Sequence, residues 1–453
     1  MTLAVETSCD DTSVAVVEKG VRGGSTVARL HFHKKVTSNN TEFRGVHPLL
    51  TLKSHQENLA TLVGEAIAHL PAHGGARRLP DFVSVTRGPG MRANLMCGLD
   101  TAKGLAAAWQ IPLVGVHHMQ AHALTPRLVA ALDAYDTAPD PAHPAQPLAD
   151  GHGDLTPTFP LLSVLASGGH TILISSTALT EHAILGSTDD IAVGECLDKV
   201  ARVVLPADEL QHATSTMYGA ILETFAFGPT HDSTPTRDLS GFTAQTYLAH
   251  HTAHAWYTPP ATNEIALARS KSSWGWTIAP PLTTTGGGSK IHTLDMSFSG
   301  LMTAVQRLVR FATDPATGKL STQPRDPEDV TRDERRDLAR GVMRAAFEHI
   351  SSRVVRALQT TSRDAETPAV VVAGGVASNA FLRHVLASTL CLHGFADVRL
   401  FFPPPAYCTD NAAMIGWTGI EMFEAGHVDS LAVRAIRKWP LDELMAPVVD
   451  GKM

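Results

Sequence analysis

Two histidines with helical spacing, His118 and His122 in the segment HHMQAH, are the first residues of this 453-residue chain whose types could carry chemistry. A spacing of four places both imidazoles on one face of a helix, where they can bind one metal ion. Zinc proteases with the motif H-E-x-x-H use the same spacing and need a Glu after the first histidine as general base. Met119 stands there instead. A protease is therefore disfavoured, while a structural pair and a metal site that needs a third ligand both stay open.

Two glycine-rich turns and an acidic segment could bind an anion or a nucleotide. LASGGHTILI places Gly168 and Gly169 between two apolar runs, and VVVAGGVASNAFLR places Ser378 and Asn379 after a buried strand. Backbone N–H groups in such turns and at helix N-termini bind phosphate, although a plain hairpin turn and a strand–helix turn capped by Ser378 give the same patterns. The segment GSTDDIAVGECLDKVAR, with Asp198, suits ribose hydroxyls, a metal ion or a solvated helix start.

Three further aspartates stand at turns. Asp10 and Asp11 follow the short strand LAVET, where they either cap a tight hairpin turn or face a cleft and take part in proton transfer. Asp410, in FPPPAYCTDNAAMIGW, is either the N-cap of the helix that follows or an oxygen ligand at the end of a strand.

Alternating strands and helices indicate an α/β architecture with a largely parallel sheet. A strand–turn–strand opening occurs at residues 1–19 and again in FPLLSVLASGGHTILISS, which predicts two related lobes. The predicted organisation is an N-terminal lobe at 1–130, a linker or insertion at 131–158, and a C-terminal lobe at 159–453 with insertions near 228–290 and 313–331. The last helices are expected to pack back on the N-terminal lobe.

Composition describes a globular protein, with 44% hydrophobic and 18% charged residues and no apolar run long enough to span a bilayer. Five cysteines without paired spacing favour a reducing compartment. The net charge of −7 argues against nonspecific nucleic-acid binding. Arg336, Arg340 and Arg344 recur every four residues as a local basic stripe, which is typical of a solvated helix face with acidic partners.

Eight segments, in order, resemble the family of universal tRNA threonylcarbamoyladenosine transferases, formerly named O-sialoglycoprotein endopeptidases. These segments are VETSCDDTSVAVV, TRGPGMRANLMCGLDTAKGLA, VGVHHMQAHALTP, LLSVLASGGHTILI, DDIAVGECLDKVAR, MSFSGLMTAV, VVAGGVASNAFLR and CTDNAAMIGWTG. Any one of them is a weak signal, whereas eight in family order are specific. They cover nearly all the segments that the sequence predicts to be ordered.

The resemblance implies an actin-like, sugar-kinase-like ATPase fold in which two ribonuclease-H-like lobes enclose a cleft. It implies a metal-assisted acyl transfer: the threonylcarbamoyl group moves from threonylcarbamoyl-adenylate to N6 of the adenosine 3′ to the anticodon, in tRNAs reading codons that start with A. By similarity His118, His122 and Asp410 bind one divalent ion per subunit, iron or zinc.

The same resemblance implies that a set of turn residues binds the adenylate: Leu165, Ala166, Ser167, Gly168, Gly169, Asp198, Gly219, Ser378 and Asn379. This chain differs from the family around Gly219, because LPADELQHATSTMYGAILETFA is longer than the short YPGGP turn of the family. Gly219 is assigned in spite of this difference. Asp10 and Asp11 are the candidates for proton removal or substrate orientation.

The expected partners are tRNA and threonylcarbamoyl-adenylate, with a homodimer and no membrane insertion. The segments SGGH and VHHMQAH resemble the bacterial and mitochondrial branch, and the long Pro- and Thr-rich insertions favour a mitochondrial protein, with a cytoplasmic one as alternative. Because MTLAVETSCDD begins almost directly with a strand, any matrix-targeting peptide is expected to be absent from this chain. An ATPase or kinase of the same fold is the alternative function, and a metalloprotease is less favoured.

Overall fold

The computed structural model describes residues 1–43, 45–73, 75–137, 155–212, 217–229, 241–283, 292–360 and 368–446. Much of the predicted linker, at 138–154, and parts of the predicted insertion near 228–290, at 230–240 and 284–290, lie outside the described residues. The described ranges contain no helix that is long and apolar enough to cross a membrane.

The strands are β1 (Thr2–Glu6), β2 (Asp11–Arg22), β3 (Ser25–Thr37), β4 (Ala72–His73), β5 (Ala76–Arg77), β6 (Phe82–Gly88), β7 (Leu113–His117), β8 (Leu161–Ala166), β9 (Thr171–Ser176), β10 (His182–Ser187), β11 (Phe242–Thr243), β12 (Phe311–Thr313), β13 (Leu320–Pro324), β14 (Ala369–Ala373) and β15 (Arg399–Phe401). The helices are α1 (Pro48–Ala68), α2 (Arg92–Trp109), α3 (His118–Thr137), α4 (Val193–Val204), α5 (Ala207–Gln211), α6 (Tyr218–Phe227), α7 (Ala244–His250), α8 (Asn263–Ser270), α9 (Ser299–Arg310), α10 (Arg332–Thr360), α11 (Ala380–Leu392), α12 (Pro405–Cys408) and α13 (Ala412–Glu424). This alternation confirms the predicted α/β class, but the prediction of a largely parallel sheet is wrong, because each larger sheet opens with antiparallel hairpin strands and is mixed.

Two larger sheets carry the same strand pattern. The first has the order β3-β2-β1-β6-β7, and the second has the order β10-β9-β8-β14-β15-β11. In each sheet the first three strands are antiparallel, and the next two run parallel to the third. Order and direction therefore repeat between the sheets, although the residues that form them differ.

Helices α3 and α13 lie between the two sheets. Buried side chains from both sheets and both helices form one apolar cluster, to which Val17, Leu128, Val371 and Trp417 belong. The contact of α13 with the first sheet is close, because a Cβ atom at Gly416 would lie 2.5 Å from Cγ2 of Val17. The carboxyl ends of β1, β7 and β8 thus approach the start of α13.

The outer face of each sheet is covered by other helices. Helices α1 and α2 pack on the first sheet, and α4, α6, α9, α10 and α11 pack on the second. Each of the helices α4, α6 and α11 begins near the carboxyl end of β8 or β14, which is the edge where α/β sheets build their sites.

Three predicted segments differ from expectation. Helix α3 continues to Thr137, so the predicted linker begins with helix rather than loop. The described part of the region near 228–290 forms β11, α7 and α8, and β11 pairs with β15 as the last strand of the second sheet. Residues 311–324 form the hairpin of β12 and β13. These elements are too short for apolar periodicity to reveal them.

Candidate metal centre and nucleotide site

The segment HHMQAH spans the junction of β7 and α3, and its first histidine caps the helix. The Nδ1 atom of His117 accepts hydrogen bonds from the backbone N–H groups of Met119 and Gln120, at 3.1 and 3.4 Å. Its Nε2 donates to the carbonyl oxygen of Trp439 at 2.9 Å. Burial lowers the pKa of His117 to about 3, so the ring is neutral and can accept at Nδ1. His117 is therefore structural, and the next two histidines remain for chemistry.

His118 and His122 converge on one carboxylate oxygen. The Nε2 atoms of His118 and His122 lie 3.3 and 3.2 Å from Oδ1 of Asp410. The two rings stand edge to face, 4.7 Å apart between centroids, and both are buried. Asp410 is free of the capping role, because the side chain of Asn411 accepts the N–H of Met414 at the start of α13. The structure thus brings together the three residues predicted as metal ligands.

The other ring nitrogen of His118, Nδ1, contacts side chains at the end of β1 and in the turn that follows. This atom lies 3.2 Å from Oε2 of Glu6 and 3.3 Å from Oγ of Ser8. Glu6 is fully buried and also accepts hydrogen bonds from the hydroxyl of Thr86 and the N–H of Ser8. A carboxylate behind a metal-binding imidazole fixes the ring and raises its basicity. The sequence analysis missed Glu6, although its position at the end of a buried strand beside a polar turn was a usable signal.

Charge in this cluster favours a cation. Burial lowers the pKa of His118, but the negative charges of Asp410 and Glu6 outweigh burial and raise this pKa to about 10. Burial raises the pKa of Asp410, but the positive charge of His118 outweighs it and holds this pKa well below the usual range. Burial lowers the pKa of His122, whose Nδ1 has no hydrogen-bond partner among the described residues. Two carboxylates, the buried one of Glu6 and the half-buried one of Asp410, therefore surround one positive charge.

The donor set fits a divalent transition metal. The three ligand atoms lie within 4.8 Å of one another. Ligands that share one tetrahedral zinc ion at about 2.1 Å lie about 3.4 Å apart, close to the nitrogen–oxygen distances found here. Two imidazole nitrogens and one carboxylate oxygen suit zinc or iron and leave further coordination positions open for a substrate.

Asp10 and Asp11 lie beside the metal cluster and differ in their contacts. Asp11 accepts hydrogen bonds from Lys35, at 3.1 Å, and from the hydroxyl of Thr37. Lys35 also donates to Oγ1 of Thr409, at 2.8 Å, and so connects β3 to the residue before Asp410. Burial raises the pKa of Asp11 to about 6, partly offset by Lys35.

Asp10 is oriented by its neighbours and forms no ion pair with a described residue. Burial and the negative charge of Asp410 raise its pKa, partly offset by the charge of Lys35, and its backbone carbonyl accepts the N–H of Ser38 at 2.9 Å. The preceding carbonyl, that of Cys9, accepts hydrogen bonds from His55 and Asn94 at 3.0 and 2.6 Å. The turn that carries Asp10 is therefore fixed from both sides.

The predicted adenylate residues of the first glycine-rich turn continue β8. Leu165 and Ala166 are its last residues, and Ser167 closes the turn by accepting at Oγ the N–H groups of Gly169 and His170, at 3.3 and 3.0 Å. No atom lies within 4 Å of a Cβ built on Gly168 or Gly169, so the turn is open on that side.

Two other glycines pack closely against the backbone of this turn. A Cβ atom at Gly194, the second residue of α4, would lie 2.6 Å from the carbonyl oxygen of Ser167. Gly374 has a φ of +95°, and a Cβ there would lie 2.5 Å from the carbonyl oxygen of Ala166. Because both glycines lack a side chain, the start of α4 and the turn after β14 approach the backbone of the glycine-rich turn after β8 more closely than a Cβ atom would allow.

Asp198 and Gly219 are in contact, although the segment between them is longer than in the family pattern. The N–H of Gly219, near the start of α6, donates to Oδ1 of Asp198 at 2.7 Å. Burial raises the pKa of Asp198 to about 6, and this N–H partly offsets the effect. The contact agrees with the assignment of Gly219, which stays a prediction.

Ser378 and Asn379 mark the start of α11, with roles that differ from the simple expectation for a capped turn. Asn379, rather than Ser378, is the N-cap, since its Oδ1 accepts the N–H of Leu382 at 3.0 Å. Ser378 donates to the carbonyl oxygen of Gly375 at 2.7 Å. Glu223 of α6 accepts the N–H of Ala380 at 2.8 Å and thereby joins α6 to this turn.

Glu223 and His170 are two further residues that the sequence analysis did not assign to the site. Burial raises the pKa of Glu223 to about 7, despite the N–H groups of Ala380 and Phe381 that it accepts. Burial and the positive charge of His118 lower the pKa of His170 to about 4, which places this ring near the metal cluster. His170 follows the glycine turn directly, so the turn and the metal cluster adjoin.

A family model described as tRNA N6-adenosine threonylcarbamoyltransferase matches residues 31–139, 141–272 and 249–417. The mitochondrial tRNA N6-adenosine threonylcarbamoyltransferase of Schizosaccharomyces pombe is 33% identical over 453 residues, which cover 98% of this chain and 87% of that protein. The tRNA N6-adenosine threonylcarbamoyltransferase of Brucella ovis is 32% identical over 450 residues, 98% of this chain and 96% of that protein. HypF of T. kodakarensis, a solved structure, aligns with 94% of this chain and 49% of its own at 12% identity and a TM-score of 0.39, too remote a likeness for a structural argument.

Proposed function

The chain belongs to the tRNA N6-adenosine threonylcarbamoyltransferase family, and we propose that His118, His122 and Asp410 hold the metal ion that assists its group transfer. The protein is a transferase that modifies N6 of adenosine in tRNA. The convergence of two imidazole nitrogens and one carboxylate oxygen carries the metal proposal. Iron and zinc both suit these donors.

Threonylcarbamoyl-adenylate is the proposed donor, and the adenosine 3′ to the anticodon, in tRNAs reading codons that start with A, is the proposed acceptor. The open glycine turn at Gly168 and Gly169, the Asp198–Gly219 pair and the turn at Ser378 and Asn379 would bind the adenylate. Their support is the geometry of a nucleotide site: backbone N–H groups, helix starts and a carboxylate for ribose meet at the carboxyl ends of β8 and β14.

In the proposed reaction, N6 of the adenosine attacks the carbamoyl carbon, and the bond from this carbon to the phosphate oxygen breaks. AMP leaves with its negative charge, and N6 loses a proton. A divalent ion bound to the three ligands would act as a Lewis acid toward the threonylcarbamoyl group. Asp10, fixed beside the metal cluster and with a pKa raised by burial and by Asp410, is the proposed proton acceptor. Asp11 would orient the substrates through its contacts with Lys35 and Thr37.

An actin-like fold with two ribonuclease-H-like lobes is the proposed architecture around this site. Its support is the repeated strand order of the two sheets and the position of α3 and α13 between them. In the proposed fold the nucleotide would lie in a cleft between the lobes, and both glycine-containing turns would open into that cleft.

A homodimer formed by helices α1 and α2 is the proposed assembly. Leu49 on α1 is 71% exposed and Met96 on α2 is 47% exposed, although both helices cover the apolar face of the first sheet. Isolated exposed apolar residues are common on protein surfaces, so the proposal rests on the resemblance to the family and on the packing of these two helices against each other. Mitochondrial residence, in the matrix, is proposed from the mitochondrial relative in fission yeast, and fractionation of intact mitochondria with an antibody to this protein tests it.

The decisive experiment combines the purified, metal-loaded protein with threonylcarbamoyl-adenylate and unmodified tRNA, followed by mass spectrometry of the nucleosides. The modified adenosine should form only when all three are present. Steady ATP hydrolysis without tRNA would favour an ATPase or kinase instead, and chelator-sensitive cleavage of casein would favour a protease. Absence of the modified nucleoside, with metal bound and accessory proteins of a bacterial system added, would overturn the proposal.

A further inference from the structure

An aromatic stack extends from the start of α11 to the protein surface. Phe381 is buried and lies two residues after Asn379. The ring of Trp256 is parallel to Phe381 within 18°, with 5.6 Å between centroids, and Phe227 lies 5.9 Å from Trp256. Trp256 is nevertheless 60% exposed. The inner side of the indole is therefore fixed by two rings, while much of its surface is accessible.

Helix α6 connects this stack to the proposed adenylate site. It begins at the contact of Gly219 with Asp198, carries Glu223 against the first N–H of α11, and ends with Phe227 in the stack. Eight residues of helix correspond to about 12 Å, which three to four stacked nucleotides span at about 3.4 Å each. A tRNA whose target adenosine lies beside the bound adenylate can thus reach Trp256 with a nucleotide a few positions away.

Arginine side chains contact residues next to the aromatic stack. Arg340 donates from Nε to the carbonyl oxygen of Ala226, next to Phe227, at 2.8 Å. The guanidinium of Arg269 lies 5.7 Å from the ring centre of Tyr257, and Arg344 interacts with the same pair. Arg340 and Arg344 belong to the basic stripe of α10 that the sequence revealed.

The acidic groups beside these arginines only partly balance them. Glu348 is buried, accepts the hydroxyl of Tyr257 at 3.0 Å, and has a pKa that burial raises. Asp337 lies 3.4 Å from Arg340 but also accepts the indole N–H of Trp274. The stripe is therefore a solvated face with acidic partners, as expected, yet its end at Arg340 and Arg344 adjoins an exposed aromatic ring.

A single exposed apolar residue is common on protein surfaces and needs no ligand. Trp256 differs because its indole stacks on Phe381, because arginines contact the neighbouring residues Ala226 and Tyr257, and because it lies one helix length from the proposed adenylate site. Proteins bind unpaired RNA bases with this combination, in which aromatic faces stack on bases and cations attract phosphates.

We propose that Trp256 stacks on an unpaired base of the tRNA substrate, close to the adenosine that is modified. The proposal rests on the proposed function and adds to it a surface that selects the RNA rather than the adenylate. Residues 241–283, which were expected to be an insertion, would then take part in substrate recognition.

The test measures the affinity of the metal-loaded protein for an anticodon stem-loop by fluorescence anisotropy, together with the KM values for tRNA and for the adenylate. Trp256→Leu keeps an apolar cover on Phe381 but removes the aromatic face. We expect it to weaken stem-loop binding and to raise the KM for tRNA about tenfold, with the adenylate KM and kcat unchanged. Trp256→Phe should recover most of the affinity.

Ile265→Ala is the matched control, since Ile265 is an exposed apolar residue of the same segment, 44% exposed, without a ring. It should leave RNA binding unchanged. Unchanged stem-loop affinity of Trp256→Leu, in a protein with wild-type thermal stability, would overturn the proposal, as would a rise in the adenylate KM alone. Failure of the wild-type protein to modify tRNA would overturn the proposed function instead, so the two failures are distinguishable.

Discussion

The Nε2 atom of His122 lies 3.2 Å from Oδ1 of Asp410, across 288 residues of sequence. The same oxygen lies 3.3 Å from Nε2 of His118. Helix α13 is held against β2 at Gly416, and the loop before it delivers Asp410 to the start of α3. The site is therefore a product of the packing of α3 and α13 between two sheets, and its three ligands should act as a unit.

Removal of one ligand should abolish metal binding. Asp410→Ala leaves two imidazoles without the carboxylate, so we expect metal content below about one tenth of an ion per chain and turnover reduced at least about 100-fold. Metal analysis of the purified variant and nucleoside mass spectrometry measure the two effects. His117→Gln is the control, because His117 caps α3 and touches no ligand atom; it should keep its metal. Full metal content in Asp410→Ala would contradict the assignment.

Glu6→Gln should weaken the metal site without removing a ligand. The charge of Glu6 acts on Nδ1 of His118, at 3.2 Å, and its loss should lower metal affinity about 10- to 100-fold. Competition with a chelator of known affinity measures this change. Glu18→Gln removes a carboxylate of the same sheet that pairs with His31, away from the site, and should leave the affinity unaltered. Equal affinities of the two variants would contradict a supporting role for Glu6.

The sequence predicts part of this centre for a clear physical reason. His118 and His122 belong to one helix, and helical periodicity alone places their rings on one face. Spacing in the sequence cannot pair Asp410 with these histidines, because their contact depends on the tertiary position of α13. The resemblance to the family predicted Asp410 as the third ligand. The place of Glu6 at the end of a buried strand marks it as a candidate, but its contact with His118 and the capping role of His117 depend on side-chain directions that the pattern of residue types does not contain.

The fold shows the same division. Elements with strong apolar patterns, such as β1, β8 and β14, lie where the sequence predicts them. Strand β11 has two residues and exists because β15 offers it a partner, so no local pattern could reveal it. The short α7 and α8 likewise gain their stability from tertiary contacts rather than from their own sequence.

Glu223 should make stability depend on pH. Its pKa is about 7 in the folded protein and 4.5 in an exposed glutamate, so the folded state binds the proton more tightly. The stability that this proton gives is complete below about pH 4.5 and is lost as pH rises through 7, by about 3 kcal/mol. The difference in unfolding free energy between the wild type and Glu223→Gln, measured by urea unfolding of the adenylate-free proteins from pH 4.5 to 8, should show this loss, since other groups with shifted pKa values, such as Asp198 and His170, contribute equally to both proteins. Glu57→Gln, an exposed control, should keep the wild-type slope.

Asp10→Asn should reduce turnover while the metal stays bound. An amide cannot accept the proton that N6 loses, and general bases contribute about 10²- to 10⁴-fold to rate. Single-turnover assays with saturating adenylate, and metal analysis of the same sample, separate chemistry from metal loss. Asp100→Asn, at an exposed position on α2, is the matched control and should retain full rate. A wild-type rate for Asp10→Asn would exclude Asp10 as proton acceptor.

Leu49→Glu should dissociate the proposed homodimer. A charge at a residue that is 71% exposed costs the free chain little, whereas burial of that charge between α1 and α2 of two copies is strongly unfavourable. Light scattering after size-exclusion chromatography should report a dimer for the wild type and a monomer for the variant, with unchanged thermal unfolding of the monomer at low concentration. Leu431→Glu changes a residue that is 49% exposed and lies beyond α13, so it should remain dimeric. A Leu49→Glu protein that is still dimeric would place the interface elsewhere.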